Sequence, residues 1–162
     1  MIVISDTSPL NYLVLIGKDH ILPILFGTVL TTPAVLDELK HTKAPPAVRA
    51  WAASPPDWLA IRSPAFYPPF HGLGPGESDA IALAQQIQAD TVLIDERDGT
   101  LVARKLGLNV AGTLNILDLA AEKGLLLFHD AIKELRRTTF RMPETLIAAM
   151  LKHHEDRGTS LP

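Results

Sequence analysis

Two aspartates come just after apolar, β-branched segments that are typical of short buried strands. Asp6 lies two residues beyond Ile2-Val3-Ile4, and Asp95 directly follows Thr91-Val92-Leu93-Ile94. In open parallel sheets, functional groups gather at the carboxyl ends of the strands, near the point where the strand order reverses. If these two strands are neighbours, both carboxylates lie at the same edge of the sheet. The spacing therefore predicts a site at that edge.

Further acids near predicted helix starts and turns extend this set to seven residues: Asp6, Glu38, Glu77, Asp79, Asp95, Glu96 and Asp98. Carboxylates without histidine or cysteine ligands suit a hard cation, because Mg²⁺ and Mn²⁺ take oxygen ligands, keep waters and bind substrate phosphate. Such an ion polarises a phosphoryl oxygen and lowers the pKa of a bound water. Without the ion, several carboxylates in one pocket would repel one another and some would take up protons.

Each of these acids also has an ordinary structural interpretation. Asp6 suits the N-cap of the first helix, and Glu77 and Asp79 complement the positive end of a helix. Glu38 on an amphipathic helix is typical of a solvated face, and the segment 95–98 is typical of a polar turn. What favours a shared site is that several of the acids come just after strands.

Short apolar segments alternate with helical patterns along the chain. Strands are predicted at 2–4, 29–31, 58–61, 91–94 and 109–111. Helices are predicted at 9–16, 20–26, 33–40, 45–53, 76–87, 99–106, 112–123, 129–137 and 143–155. The proline-rich stretch 63–75 is predicted to be a loop. Strands that alternate with helices predict an α/β protein, a three-layer α/β/α sandwich around a short central parallel sheet.

Length and composition limit the class of protein. The 162 residues, 47% hydrophobic and 20% charged, suit one globular domain spanning 1–162. The absence of cysteine excludes disulfides, thiolate catalysis, zinc fingers and iron–sulfur clusters. The net charge of −3 means that nucleic-acid binding needs a local basic patch. No apolar run reaches about 18 residues and no signal peptide is recognisable, so a cytoplasmic protein without membrane contact is expected.

Two groups of basic residues could form such a patch, and both equally suit solvated helix faces: Arg97, Arg104 and Lys105, and Arg136, Arg137 and Arg141. The loop 63–75 carries four side chains able to stack on a base, Phe66, Tyr67, Phe70 and His71. A packed surface loop is the favoured interpretation of that segment. His153 and His154 are adjacent, which makes a poor metal pair on a helix, so a solvated helix end is expected for them.

Four segments, in order, resemble the motifs of PIN-domain ribonucleases: Ile4-Ser5-Asp6-Thr7-Ser8-Pro9-Leu10, Pro33-Ala34-Val35-Leu36-Asp37-Glu38-Leu39, Gly76-Glu77-Ser78-Asp79-Ala80-Ile81-Ala82-Leu83-Ala84 and Leu93-Ile94-Asp95-Glu96-Arg97-Asp98. The first three matching acids are Asp6, Glu38 and Asp79, with Glu77 as an addition. Many PIN domains have a Thr-Arg-Asp turn where the fourth segment lies. Aligning the strand ends makes Asp95 the fourth acid, whereas aligning the turn favours Glu96 or Asp98.

The segments Ala103-Arg104-Lys105-Leu106-Gly107-Leu108 and Ala111-Gly112-Thr113-Leu114 are similar to a VapC-like PIN subfamily, as is a C-terminal helical extension over about 140–162. The resemblance implies an endoribonuclease that depends on Mg²⁺ or Mn²⁺ and hydrolyses RNA phosphodiester bonds. Proteins of this type often serve as the toxin of a toxin–antitoxin pair. An antitoxin protein and a second copy of the chain, in a homodimer, are therefore implied as partners.

The resemblance also implies roles for individual residues. The catalytic residues would be Asp6, Glu38, Asp79 and Asp95. The ligands of one or two metal ions would be these four together with Glu77 and Asp98. A water activated by the metal would attack a backbone phosphate. Thr7 and Ser8 would hydrogen-bond a metal-bound water or a phosphate, or else cap the first helix. Arg97 and Arg104 are expected to contact the RNA.

Two other classes of function compete with this interpretation: a different α/β phosphoryl enzyme and a non-catalytic binding module. A haloacid-dehalogenase-type phosphatase normally has a second aspartate two residues after the first, and that position is Ser8. A response-regulator receiver needs an acidic pair after the first strand, where this chain has one acid. A non-catalytic PIN-like module that binds RNA or protein is the remaining alternative. The full set of four matching acids argues against it, and metal binding would discriminate between the two.

Overall fold

The computed structural model describes residues 1–68 and 70–160. The chain forms two compact units, Met1–Thr113 and a second that begins at Leu114. The predicted extension 140–162 falls in the second unit, and its last two positions lie outside the described residues.

Five strands occur in the described part of the chain, all in the first unit: β1 (Val3–Ser5), β2 (Val29–Thr31), β3 (Leu59–Ile61), β4 (Thr91–Leu93) and β5 (Asn109–Ala111). They form one sheet in the order β3-β2-β1-β4-β5, and every neighbouring pair is parallel. The predicted α/β class with a short central parallel sheet is confirmed. Each strand has three residues, so the sheet is narrow along the strand direction.

The first unit also holds six helices: α1 (Thr7–Leu15), α2 (Ile21–Phe26), α3 (Pro33–Leu39), α4 (Pro46–Ala53), α5 (Pro75–Gln86) and α6 (Arg97–Lys105). Connections between parallel strands are almost always right-handed, so the strand order predicts α1 to α4 on one face of the sheet and α5 and α6 on the other. The contacts of α1 with α3 and α4, and of α5 with α6, agree with this prediction, and α3 also contacts α5.

One hydrophobic core cluster of this unit lies between the sheet and helices α5 and α6. Ile4 of β1 and Val92 of β4 are fully buried, and Ile81 and Ala84 of α5 pack in the same cluster with Ala103 of α6. Burying a large aliphatic side chain contributes about 1.5–3 kcal/mol, so this cluster fixes α5 against the two central strands.

The strand order reverses at β1, which has β2 on one side and β4 on the other. Ser5 pairs with Leu93, and the N–H of Asp6 donates to the carbonyl oxygen of Leu93 at 2.8 Å. The residue after β1 is therefore tied to the carboxyl end of β4. This edge is the switch point at which open parallel sheets place their sites.

The predicted loop 63–75 ends one residue early, because Pro75 is the first residue of α5. Gln86 of α5 anchors the loop by accepting the Ala65 N–H at 2.6 Å and donating to the Phe66 carbonyl at 2.7 Å. Packing was the favoured interpretation for the aromatic side chains of this loop. It holds for Phe70, which packs against the core, but Phe66 is 60% exposed. Position 69 lies outside the described residues.

Three helices follow β5: α7 (Thr113–Glu122), α8 (Phe128–Leu135) and α9 (Glu144–Ser160). In the second unit His154 is half-buried, with Nε2 2.6 Å from Asp118 Oδ1 and its ring stacked 4.5 Å from Phe128. The expectation of a solvated position was therefore wrong for His154, because its ring helps to hold α9 against α7 and α8. In the described part of the chain, no helix combines the length and apolar character needed to cross a bilayer.

Candidate functional site

Asp6 is the most deeply buried acid at the switch point, with 1% of its surface exposed. Its Oδ1 is buried and has no hydrogen-bond partner among the described residues. Burial raises the pKa of Asp6 well above its usual value, and the nearby carboxylates of Glu96, Glu77 and Glu38 raise it further, while a hydrogen bond from the Thr7 backbone lowers it. A carboxyl group in this setting needs either a proton or a cation.

Glu38 comes from α3 and contacts two other helices through its half-buried carboxylate. Its Oε2 accepts the hydroxyl of Thr7 in α1, and its Oε1 accepts the N–H of Gly76 in α5 at 2.8 Å. The first N–H groups of a helix carry the positive end of its dipole, which favours a carboxylate there. Three helices therefore hold Glu38 in one place beside Asp6.

Glu77 and Asp79 lie on α5, which begins beside this edge of the sheet. Burial raises the pKa of Glu77, and so do the carboxylates of Glu96, Glu38 and Asp98. Burial also raises the pKa of Asp79, with a smaller contribution from Glu38. Both side chains are half-buried. The structure thus brings Asp6, Glu38, Glu77 and Glu96 into one acidic cluster, with Asp79 beside Glu38 and Asp98 beside Glu77.

Asp95 lies at the end of β4, but its carboxylate is hydrogen-bonded to Thr113. The N–H and the hydroxyl of Thr113 each donate to one carboxylate oxygen of Asp95, both at 2.7 Å. Burial raises the pKa of Asp95 and Glu96 raises it further, whereas the bonds from Thr113 lower it. Asp95 therefore ties the end of β4 to the first residue of α7. Sequence reasoning missed this partner, although Gly112-Thr113 at a predicted helix start was a signal for it.

Glu96 is the residue of the 95–98 turn whose charge acts most strongly on the other acids. It is the first of the neighbouring carboxylates that raise the pKa of both Asp6 and Glu77. Its side chain is exposed, and Oε1 accepts the hydroxyl of Ser8 at 2.6 Å. Of the alternatives that the sequence left open, the geometry favours Glu96 over Asp95 as the acid of this turn that faces the cluster.

The hydroxyl groups of Thr7 and Ser8 donate hydrogen bonds to carboxylates and do not cap α1. The N-cap of α1 is Asp6, and no side-chain capping bond is formed there. The hydroxyl of Thr7 donates to Glu38 and that of Ser8 donates to Glu96. Each hydroxyl therefore orients one acid of the cluster. Their contact with a metal-bound water or a phosphate stays a prediction.

The two arginines expected to contact RNA lie at opposite ends of α6. Arg97 is its first residue and directly follows Glu96, whereas Arg104 lies in its last turn, seven residues on. At 1.5 Å per residue they are about 10 Å apart along the helix axis. In the second basic group, Arg136 forms two bonds with Glu144 at 2.6 and 3.0 Å, and Arg137 lies 3.5 Å from Glu134. Those two charges are already paired.

The oxygen-rich cluster fits a hard divalent cation by its chemistry. The open Oδ1 of Asp6 is the most direct sign, because an ionised carboxylate that is buried without a partner is costly. Within residues 1–68 and 70–160, however, no three Asp, Glu or His side chains are arranged to hold a metal ion. Glu38 and Asp95 are satisfied by hydrogen bonds instead.

Comparison with known proteins identifies the family of the chain and a solved structure with a similar fold. The family model DUF3368, described as a PIN domain, matches residues 2–156. No curated protein sequence matches the chain. Among solved structures, a PilT N-terminus domain protein from Sulfolobus solfataricus P2 is similar, with 13% sequence identity and a TM-score of 0.49. That alignment covers 88% of this chain and 99% of the other.

Proposed function

The chain belongs to the PIN-domain family, whose members are generally nucleases, and from this membership we propose that it is a metal-dependent endoribonuclease. Its substrate is RNA, its cofactor is Mg²⁺ or Mn²⁺, and it hydrolyses phosphodiester bonds. The observation that carries the proposal is Asp6, which is buried at the switch point with an open oxygen and whose pKa is raised further by the charges of three other carboxylates.

Burial explains why this arrangement favours a cation. Removing an ionised carboxylate from water is costly unless an opposite charge replaces the water. The repulsion from Glu96, Glu77 and Glu38 adds to that cost. Among the described residues, the charged groups that chiefly shift the pKa of Asp6 are all carboxylates. A bound divalent ion would supply the missing charge and lower the energy of all four carboxylates together.

Asp6, Glu38, Glu77 and Glu96 are the residues that would hold the ion. Asp79, whose pKa Glu38 raises, and Asp98, which raises the pKa of Glu77, are further candidates. A bound Mg²⁺ or Mn²⁺ would polarise a phosphoryl oxygen and provide an activated water. Asp95 stays a predicted ligand from the motif resemblance. Its bonds to Thr113 support a positioning role for it instead.

The chain's own residues prepare the site in advance. Thr7 and the Gly76 N–H fix Glu38, and Ser8 fixes Glu96, so these two carboxylates are oriented before a ligand arrives. Such preorganisation lowers the cost of gathering like charges when the ion binds. Arg97 begins α6 directly after Glu96, and this position supports the proposal that it contacts an RNA phosphate.

The experiment is an RNA-cleavage assay on the full chain with Mn²⁺ or Mg²⁺, with and without a chelator. Wild type is expected to cut only with the metal, and Asp6→Asn is expected to lose the activity. Asp37→Asn is the matched control, because Asp37 is exposed on α3 beside Glu38. Cutting that survives in Asp6→Asn or in chelator would contradict the proposal. No cutting by wild type on diverse RNAs would favour a binding module.

The finer assignment is a VapC-like toxin that acts with an antitoxin and as a homodimer. Only the motif resemblance supports this part. Expression of wild type in a bacterial host is expected to arrest growth, and Asp6→Asn is expected to relieve the arrest. Equal growth of both strains at equal protein levels would reject the toxin role while leaving the nuclease assay to judge the activity.

A further inference from the structure

Two glycines in the first turns of α5 and α6 lie against carboxylates of the acidic cluster. A Cβ at Gly76 would lie 2.6 Å from Glu38 Oε2 and 2.7 Å from Glu38 Oε1. A Cβ at Gly99 would lie 2.8 Å from Glu77 Oε2 and 2.5 Å from Ile94 Cδ1. Contacts under 3.0 Å essentially never occur for real Cβ atoms, so any side chain at either position would displace a neighbour.

Backbone conformation does not explain these glycines. Neither Gly76 nor Gly99 has the positive φ that favours glycine, and both lie inside helices. Glycine is a poorer helix former than alanine, so each position carries a residue that its own helix disfavours. The remaining explanation is the space that neighbouring side chains occupy, which is the carboxylate of Glu38 at Gly76 and both Ile94 and the carboxylate of Glu77 at Gly99.

We infer that Gly76 and Gly99 are positioning residues of the acidic cluster, where a missing side chain makes room for the carboxylates of Glu38 and Glu77. Gly76 positions Glu38 in two ways: it leaves room for the carboxylate, and its N–H donates to Glu38 Oε1 at 2.8 Å. An independent mark of a ligand site in this cluster is the buried Oδ1 of Asp6, which has no partner among the described residues. The inference rests on the proposed function only for its metal-binding readout.

An alanine at Gly76 would be accommodated by movement of Glu38, since a carboxylate is the far end of a flexible side chain. That movement breaks the bonds from Thr7 and from the Gly76 N–H. The fold is expected to persist, because the buried core around Ile81 is untouched. The cluster would lose one oriented oxygen donor.

Titration calorimetry of the full chain with Mn²⁺ tests this consequence. Gly76→Ala is expected to bind Mn²⁺ about tenfold to a hundredfold more weakly than wild type, as is usual when a group that orients a ligand is removed. Gly74→Ala is the matched control, because a Cβ there lies at an ordinary 3.7 Å from Glu77 Oε1. The control is expected to bind like wild type. Equal affinity of Gly76→Ala and wild type would overturn the inference.

A stability cycle without metal tests the same contact independently. The shift in Tm caused by Gly76→Ala is measured in wild type and in Glu38→Ala. With Glu38 truncated, the alanine is expected to raise Tm, because it has space and is the better helix former. In the wild-type background, where Glu38 is present, Gly76→Ala is expected to raise Tm by less or to lower it. Equal shifts in both backgrounds would overturn the inference. A wild type that binds no Mn²⁺ would reject the metal dependence in the proposed function, and this cycle alone would then judge the role of Gly76. The same cycle with Gly99→Ala in wild type and in Glu77→Ala judges Gly99.

Discussion

At the scale of single residues, Asp6 is surrounded by groups of its own sign of charge and shielded from water. Its pKa is raised chiefly by burial and then by Glu96, Glu77 and Glu38. Two conditions would neutralise this unfavourable charge: protonation of Asp6 at low pH, or binding of a cation at neutral pH. Each condition leads to a measurement that does not require knowledge of the substrate.

The first prediction concerns stability against pH. Because the folded-state pKa of Asp6 lies above the value of 3.8 for an unfolded chain, its contribution to stability is fully present below that value. The contribution is lost as the pH rises through the folded-state pKa. Without divalent ions, Asp6→Asn is expected to be more stable than wild type at pH 7 by about 1–3 kcal/mol.

Thermal unfolding in chelator at neutral and acidic pH measures this difference. Around pH 3 the greater stability of Asp6→Asn is expected to vanish, since Asp6 is then protonated in both the folded and the unfolded state of wild type. A wild type that is the more stable protein at pH 7 would refute the description of Asp6 as an unrelieved buried acid.

The second prediction concerns the cation. Mn²⁺ is expected to raise the Tm of wild type, with a stabilisation of about 2.7 kcal/mol when the ion is at a hundred times its Kd. Asp6→Asn is expected to lose most of this shift, and Asp37→Asn to keep it, because Asp37 is exposed outside the cluster. A shift of equal size in all three proteins would place the ion elsewhere.

The acids themselves could be predicted from the sequence, but their hydrogen-bond partners could not. The position of Asp6 at the edge of the sheet could be predicted from the strand that directly precedes it, because that signal is local in the sequence. The direction of Glu96 depends on the backbone of its turn and on Ser8, which is 88 positions away in the chain. The close approach of Gly76 to Glu38 depends on the packing of α3 against α5. Contacts between distant segments leave no periodic pattern to read.

At the scale of elements, Thr113 joins the end of β4 to the start of α7 through Asp95. Thr113→Val keeps the shape of the side chain and removes the hydroxyl that donates at 2.7 Å to Asp95. The variant is expected to lose about 1.5–3 kcal/mol of unfolding free energy, the usual range for a bond to a charged group. Denaturant unfolding measures it, with exposed Thr42→Val as the control. A loss no larger than that of the control would show that this bond contributes little.

The two ends of α6 should differ in their contribution to RNA binding. Arg97 begins the helix beside the cluster, and Arg104 lies about 10 Å further along its axis. Arg97→Ala is expected to weaken binding and to reduce the salt slope by about 0.7, the value for one phosphate contact with a single strand. Arg104→Ala is expected to change the slope less. Binding measured in chelator over a series of salt concentrations distinguishes them, and a larger effect of Arg104→Ala would move the RNA path away from Asp6.

Most elements could be located from the sequence because their signals are local. The strands at 29–31 and 109–111 were predicted with the bounds found in the structure. The first helix begins at Thr7, two residues before its predicted start, because Asp6 is already in an extended conformation and serves as the N-cap. Proline at position 9 is compatible with the first turn, so it does not mark the first helical residue.

At the scale of the whole molecule, the strand order decides which acids meet. Periodicity indicates strands but not their neighbours, so the proximity of Asp6 and the 95–98 turn was conditional on β1 pairing with β4. That pairing exists, with Ile4 opposite Val92. It creates the switch point and brings the start of α5 and the turn after β4 to the edge where β1 ends. The acidic cluster is therefore a product of topology as much as of sequence.

The most direct test of the proposed site is the single-turnover rate of RNA cleavage with Mn²⁺ by wild type and by matched carboxamide variants. Asp6→Asn is expected to lose at least about a hundredfold in rate, because it removes a carboxylate proposed to hold the ion that stabilises charge in the transition state. A clear loss is expected for Glu38→Gln and for Glu96→Gln, and none for Asp37→Asn. Cleavage by Asp6→Asn at the wild-type rate would contradict the proposal, because the cluster around Asp6 would then not be the site of the reaction.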